Sequence, residues 1–146
     1  MFKIRPIQHS DVDAVYAIEE RSFPYPFTRE IFEAIIGRHP FHGLIAEDGI
    51  VVGYIIFSII VDESELLTVA VDGPHRRKGI ARGLIDAMFS FGKKSGVKNF
   101  YLEVRPSNET AIKLYSSYGF SKVGLRKGYY KDNNEDAIVM KKCLSA

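Results

Sequence analysis

Val69-Ala70-Val71-Asp72-Gly73-Pro74-His75-Arg76-Arg77-Lys78-Gly79-Ile80-Ala81-Arg82 is the stretch that decides how this chain is read. Leu66 to Val71 is a short apolar, β-branched run, and Asp72-Gly73-Pro74 is a turn signal that ends it. Beyond the turn, Ala81, Leu84, Ile85 and Met88 recur at helical spacing and mark one buried helix face. Between strand and helix stand Arg76, Arg77, Lys78 and Gly79. The first turn of a helix has unpaired backbone N–H groups and the positive end of the dipole, so it suits a phosphate. Gly79 lets such a group come close to the backbone. Cations at that end oppose the dipole, so three together ask for a compensating anion, where the plainer reading would be a solvated basic helix start. The stretch is read as a site for a polyphosphate or pyrophosphate. Two common nucleotide patterns are missing: Gly92-Lys93 has Ala87 where G-x-x-x-x-G-K-S/T needs its first glycine, and no G-x-G-x-x-G occurs.

Upstream, Phe2-Lys3-Ile4-Arg5 alternates like a half-buried strand, and Pro6 is expected to end it. Ser10 or Asp11 caps a helix with Val12, Val15 and Ile18 inside, which stops near Arg21 because Pro24 and Pro26 follow. Thr28 is the expected N-cap of a second helix that carries Ile31, Phe32, Ile35 and Ile36 and ends at Gly37. Strands His42 to Glu47 and Ile50 to Ile60 flank the hairpin signal Asp48-Gly49, the second apolar enough to be central, and Glu65 to Asp72 is the next strand, leading into the basic helix. Downstream, the basic helix ends at Lys93-Lys94-Ser95-Gly96, Val97 to Val104 is a strand, and Asn108 to Tyr118 is a helix closed by Gly119. Phe120 to Arg126 and Asp136 to Met140 form a last hairpin across 131–135. The order β-α-α-β-β-β-α-β-α-β-β implies an α/β chain: a mixed sheet with helices on both faces and one parallel crossover through the basic helix.

A chain of 146 residues is expected to form one domain, 1–146, with one substantial core. Its 46% hydrophobic and 26% charged content is ordinary for a soluble protein. A net charge of +2 is too small to imply nucleic acid, so any basic patch is local. The lone Cys143 leaves no internal disulfide or cysteine-based metal site. The longest apolar run, Ile50 to Ile60, is far below a membrane span, and Met1 to Pro6 does not look like a signal peptide. The expectation is a cytoplasmic protein with no metal, membrane or nucleic-acid partner.

In Tyr101-Leu102-Glu103-Val104-Arg105, alternation puts Leu102 and Val104 on one sheet face and Tyr101, Glu103 and Arg105 on the other. Glu103 is then either a solvated charge on an open face or a functional base. Asn108 and Tyr115 lie about two helical turns apart on one helix face, where a tyrosine fills the core as readily as it serves chemistry.

Arg76-x-x-Gly79-x-Ala81 resembles the acetyl-CoA pyrophosphate loop of the GNAT acetyltransferase superfamily. Leu102-Glu103-Val104-Arg105-Pro106-Ser107-Asn108, Ala111-Ile112-x-Leu114-Tyr115, Gly119-Phe120, Arg126-x-Gly128-Tyr129-Tyr130 and Glu135-Asp136-Ala137 are similar to its later core. More narrowly, these motifs and Phe23-Pro24-Tyr25-Pro26 resemble the ribosomal-protein alanine N-acetyltransferases over nearly the whole chain. The resemblance implies the GNAT fold and transfer of acetyl from acetyl-CoA to a protein N-terminal α-amine, with Ala or Ser first and a ribosomal protein as partner. It implies that Val69, Ala70 and Val71 run beside the pantetheine arm, that Arg76, Arg77, Lys78, Gly79, Ile80, Ala81 and Arg82 surround the pyrophosphate, and that Asn108 touches the arm. It makes Glu103 the general base, Tyr115 the general acid, and Phe23, Pro24, Tyr25, Tyr129 and Tyr130 the lining of the peptide entrance. The glutamate that archaeal and eukaryotic relatives often carry after a Leu-Pro in the first helix–helix loop is missing here, which favours the bacterial type.

The chemistry agrees with that assignment. An α-amine of pKa ~7.8 is roughly 14% neutral at pH ~7, against about 0.04% for a lysine of pKa ~10.4. A single carboxylate acting through water is then help enough, and the departing thiolate needs one proton donor. Two other readings stay open. Transfer to lysine or a small amine would want a deeper acidic pocket, and Asp62, Glu63 and Glu65 are read as one surface turn. A non-catalytic acetyl-CoA- or nucleic-acid-binding module would need no base at all.

Overall fold

The computed structural model describes residues 1–144. Seven strands form one sheet in the order β1-β2-β3-β4-β5-β7-β6. They are β1 (Lys3–Pro6), β2 (Phe41–Glu47), β3 (Val51–Ile60), β4 (Glu63–Val71), β5 (Asn99–Val104), β6 (Ser121–Tyr130) and β7 (Glu135–Cys143). The helices are α1 (Val12–Ser22), α2 (Arg29–Ile35), α3 (Ile80–Lys94) and α4 (Glu109–Ser117). The order of elements is the one expected, and every pairing is antiparallel except β4 with β5, which α3 joins as a parallel crossover.

Two apolar layers sandwich the sheet. On one face Leu84, Ile85 and Met88 of α3 pack on Val52, Ile55, Phe57, Leu66, Phe100 and Leu102, with Ile112 and Leu114 of α4 at the margin. On the other, Val15 and Ile18 of α1 and Phe32 of α2 cover Ile45, Tyr54, Ile56 and Ala70. β3 is buried from Val52 to Ile59 because it has a strand on each side and a helix layer on each face. α3 sits so close to β5 that a Cβ on Gly92 would fall 2.4 Å from the Phe100 ring.

Four local expectations are corrected. Pro6 does not end β1: it pairs with Leu44 as the last strand residue, which its missing N–H permits on an edge strand. Asp11 precedes α1 without capping it, because its carboxylate accepts from the Gln8 N–H at 2.7 Å and from Arg5 at 2.8 and 2.9 Å. Thr28, in contrast, caps α2 as expected, accepting the Ile31 N–H at 3.3 Å. The last hairpin is longer at both ends than its apolar runs suggest, so Tyr129 and Tyr130 belong to β6 and Cys143 to β7. β4 begins at Glu63, two residues before the expected Glu65, so Glu63 as well as Glu65 belongs to the strand and only Val61 and Asp62 are left to the turn.

The feature that makes a site is a parting of strands. β4 and β5 pair only from Glu63↔Asn99 to Leu66↔Leu102, although β4 runs on to Val71 and β5 to Val104. The parting coincides with a bulge: Phe57 pairs with Leu66 and Ile56 with Thr68, leaving Leu67 as the extra residue. The extra residue reverses the alternation. Leu66 faces the α3 layer, Leu67 joins the α1 layer, and from there Val69 and Val71 turn to the α3 side while Ala70 turns to α1. Bent by its bulge, β4 stays on β3 and leaves β5, so an opening forms between the C-terminal ends of two parallel strands.

Candidate active site

The β4 wall of the opening is backbone. Asp72 N–H donates to the Val52 carbonyl at 2.8 Å, which makes Val71↔Gly53, and by alternation Val69↔Ile55, the pairs without mutual hydrogen bonds. The N–H and C=O groups of Val69 and Val71 therefore point away from β3 and into the opening, whereas Ala70 spends its own on Tyr54. One of the four is taken: the Val71 carbonyl accepts Nε of Arg76 at 2.9 Å. The Val69 N–H and C=O and the Val71 N–H remain for an extended ligand with amide groups to pair as a neighbouring strand would.

Arg76 thus folds back onto β4, and its Nη2 also reaches Ser22 Oγ at 3.4 Å. All three consecutive cations are exposed, and among the described residues Arg77 and Lys78 make no side-chain hydrogen bond or ion pair. Arg77 (φ 65°) and Gly79 (φ 78°) both take the left-handed region, costly for the arginine and free for the glycine, which also serves as N-cap of α3. No side chain caps α3 and no acidic residue lies in its first turn, so the N–H groups of Ile80, Ala81 and Arg82 are open to an anion. Arg82 stacks on Tyr118, its guanidinium carbon 5.1 Å from the ring centre. Asn108 is the N-cap of α4: its Oδ1 accepts the Ala111 N–H at 3.2 Å, which leaves its amide NH₂ to a ligand.

The opposite wall is made of side chains. Glu103 is 13% exposed and its Oε2 accepts Nη1 of Arg126 at 2.8 Å. Glu65 shares its neighbourhood: partial burial, then the Glu103 charge, pushes the Glu65 carboxyl upward, with Arg126 opposing. Arg126 lies over the Tyr129 ring at 4.4 Å, and Tyr129 meets Tyr130 edge to face at 5.0 Å. Both phenols are raised, chiefly by burial, Tyr130 up to about 12. β6 supplies both tyrosines through a second irregularity. Arg126 pairs with Ala137 and Tyr130 with Glu135, so extra residues loop out around Gly128 (φ 58°), whose N–H donates to Asp136 at 2.8 Å.

Tyr115 comes from α4, half-buried and edge to face with Phe120 at 6.0 Å. Burial pushes its phenol up to about 12, and Tyr130 adds to the shift, so the two hydroxyls lie within electrostatic reach. The phenol keeps its proton throughout the neutral range. In the α1–α2 connection, Tyr25 is 48% exposed and lies 4.3 Å from the Arg105 guanidinium carbon, while Phe23 packs against the α1 layer. Pro24 is exposed beside them. The structure thus brings Glu103, Tyr115, Tyr129, Tyr130 and Tyr25 to one end of the opening, and Phe23 is mainly core.

Sequence reasoning missed Glu19. It is 2% exposed and holds no cation, yet it accepts the Tyr54 hydroxyl at 2.5 Å, the Thr68 hydroxyl at 2.7 Å and the Phe27 N–H at 3.0 Å. This carboxylate ties the α1–α2 connection to the central strand and to the residue beside the bulge. The signal was present: Glu19 follows Val15 by four, on the apolar face of α1, where a charge needs partners. Among the described residues no group of three or more His, Cys, Asp and Glu is placed to hold a metal ion.

The acetyltransferase (GNAT) family model matches residues 12–120. Over 142 residues, 96% of each chain, this sequence is 34% identical to the ribosomal protein bS18-alanine N-acetyltransferase of Escherichia coli strain K12. The crystal structure of the ribosomal-protein-S18-alanine N-acetyltransferase from Escherichia coli superposes with a TM-score of 0.91 at 32% identity, covering 100% of this chain and 96% of that one. Ard1 from Thermoplasma volcanium gives a TM-score of 0.90 at 29% identity over 99% of both chains.

Proposed function

The chain belongs to the acetyltransferase (GNAT) family, and on that premise we propose that it moves an acetyl group from acetyl-CoA to the N-terminal α-amine of a protein. The name of its bacterial relatives makes a ribosomal protein with alanine first the leading acceptor, met in the cytoplasm. The observation that carries this reading is the opening between β4 and β5. One wall offers the unpaired amide groups of Val69 and Val71 and leads to the first turn of α3, which no side chain caps; the other offers a carboxylate and three phenols. A pantetheine arm fits the first wall and its pyrophosphate the helix start, held by Arg77, Lys78 and the N–H groups of Gly79 to Arg82, while Asn108 meets the arm through its amide.

The thioester carbon then lies between Glu103 and Tyr115. Glu103 accepts a proton from the α-ammonium, through a water, and the freed amine attacks the thioester carbonyl. The tetrahedral adduct collapses with loss of the CoA thiolate, which takes a proton from Tyr115, while the second proton shed by the nitrogen returns through water to the Tyr115 oxygen. An ordinary thiol titrates near ~8.5, well below a phenol held at about 12, so Tyr115 acts chiefly as a hydrogen-bond donor to the departing sulfur, and its proton passes over only as the nitrogen's second proton replaces it. The bond made is the amide, the bond broken the C–S, and no enzyme-bound acyl group intervenes.

Glu65 beside Glu103 favours a second reading, because two carboxylates near one mouth also suit a lysine ammonium. A panel of peptides decides: Ala-, Ser- and bulky-first N-termini, each free or blocked, with and without internal lysine, assayed for CoA release. Transfer to free Ala and Ser termini and none to blocked peptides is the expected result. Equal transfer to blocked, lysine-containing peptides would overturn it in favour of the second reading.

A further inference from the structure

We propose that Arg105 is a positioning residue that sets the distance between the two segments flanking the acceptor entrance. The inference rests on the reading above only in calling that mouth the acceptor's. Arg105 follows the last residue of β5 and leaves on the Glu103 side. Its guanidinium carbon lies 3.8 Å from the centre of the Tyr130 ring and 4.3 Å from that of Tyr25. Along its edge, Nη1 and Nη2 donate to both carboxylate oxygens of Asp132 at 3.1 and 2.7 Å, and Nη1 also reaches Asn133 at 3.1 Å and Glu135 at 3.3 Å. Only 16% of the side chain is exposed.

These contacts join two parts of the chain that lie far apart in sequence. Tyr25 belongs to the α1–α2 connection; Tyr130, Asp132, Asn133 and Glu135 belong to the β6–β7 hairpin. The connection has its own anchor at Phe27, on Glu19, and the hairpin has its own at Glu135, which accepts the Ser107 N–H at 2.9 Å. Between the anchors, Tyr25 is half in solvent and the hairpin tip is exposed, so their separation depends on the group both rest against. A guanidinium can do this and an ammonium cannot: it has a flat face for aromatic rings and an edge that meets a carboxylate with two parallel hydrogen bonds. Glu103, two positions earlier on the same side of β5, needs its acceptor amine held at a defined distance, and the width of the mouth controls that.

Arg105→Lys keeps the charge and removes face and fork together; Asp132→Asn keeps the ring contacts and weakens the fork. Steady-state kinetics with the best peptide are read beside acetyl-CoA affinity and amide hydrogen exchange. In Arg105→Lys the acceptor KM should rise about tenfold or more, with acetyl-CoA affinity within about twofold of wild type, and Asp132→Asn should fall between. Exchange at Tyr25 and at 131–134 should quicken together in Arg105→Lys, while α3 keeps its protection. Unchanged acceptor KM, exchange that quickens in one segment alone, or a lowered melting temperature with normal KM would each overturn the proposal. Failure of the functional reading has a different signature: wild-type protein that acetylates no free N-terminus, with the exchange pattern alone then deciding for or against the clamp.

Discussion

The two walls of the opening between β4 and β5 are made of different material. The β4 wall and the start of α3 are backbone: amide groups of Val69 and Val71, helix N–H groups, and a turn whose left-handed residues are Arg77 and Gly79. The facing wall is side chains from five places: Glu65 of β4, Glu103 of β5, Tyr115 of α4, Tyr129 and Tyr130 of β6, and Tyr25 between α1 and α2. A backbone wall tolerates change in many side chains and recognises what all its ligands share. A side-chain wall is sensitive to single substitutions and can be retuned for another acceptor. Substitutions should therefore divide by wall, chemistry and acceptor choice on one side and cofactor affinity on the other.

The largest expected effect is on the side-chain wall. Tyr115→Phe keeps the ring on Phe120 and removes the hydroxyl, so kcat should fall about 10²–10⁴-fold while acetyl-CoA affinity stays unchanged. Single-turnover acetylation beside calorimetric titration of acetyl-CoA separates the two; a comparable loss in both would mean that the walls are not independent. Next comes the tie that holds the walls in one frame. Glu19→Ala leaves the Tyr54 and Thr68 hydroxyls and the Phe27 N–H without their acceptor, and should cost roughly 3 kcal/mol in chemical denaturation. A cost near zero would mean that water replaces the carboxylate and that the connection is held by Phe27 and Phe32 alone.

Smaller is the effect on the backbone wall, where no single side chain dominates. Arg77→Ala with Lys78→Ala should weaken acetyl-CoA binding about tenfold and leave kcat at saturation unaltered, because exposed charges add modestly to a site formed by N–H groups. Arg76→Ala sharpens the contrast. It removes a strut on the Val71 carbonyl, so its effect on affinity should be smaller than the pair's and less sensitive to salt. If Arg76→Ala matched the double variant in salt dependence, Arg76 would have to swing out to the phosphates.

The same division explains what the amino-acid sequence discloses. The backbone wall is local: strand, turn, cation-and-glycine run and helix follow one another within fourteen residues, so periodicity and turn chemistry reveal it. Tertiary structure adds one contact there, that of Arg76, whose carbonyl partner five residues back has no mark in the sequence. The other wall and the ties that hold it assemble across long separations, such as the 23 residues between Glu103 and Arg126 or the 49 between Glu19 and Thr68. Residue types alone bring none of these together; the motif resemblance points to Glu103, Tyr115 and the tyrosines, Arg105 is read from sequence only as sharing the Glu103 face, and Glu19 goes unremarked. Glu63 is harder to place for a related reason: a strand that begins with a glutamate beside a turn reads as part of that turn, and only its pairing with Ile60 of β3 and Asn99 of β5 makes it part of the sheet.

The assignment of Glu103 as proton acceptor for an α-amine is tested most directly by the pH profile of Glu103→Gln against wild type, on one free-N-terminus peptide. Glutamine keeps the size and the Arg126 contact but takes no proton. Turnover should drop at pH ~7 and recover much of its loss toward pH ~9, where an amine of pKa ~7.8 is mostly neutral unaided. Tyr115, held at about 12, keeps its proton across that range, so the recovery reports the amine alone. An equal loss at every pH would show that Glu103 positions the acceptor without taking its proton, and full turnover at pH ~7 would remove Glu103 from the reaction.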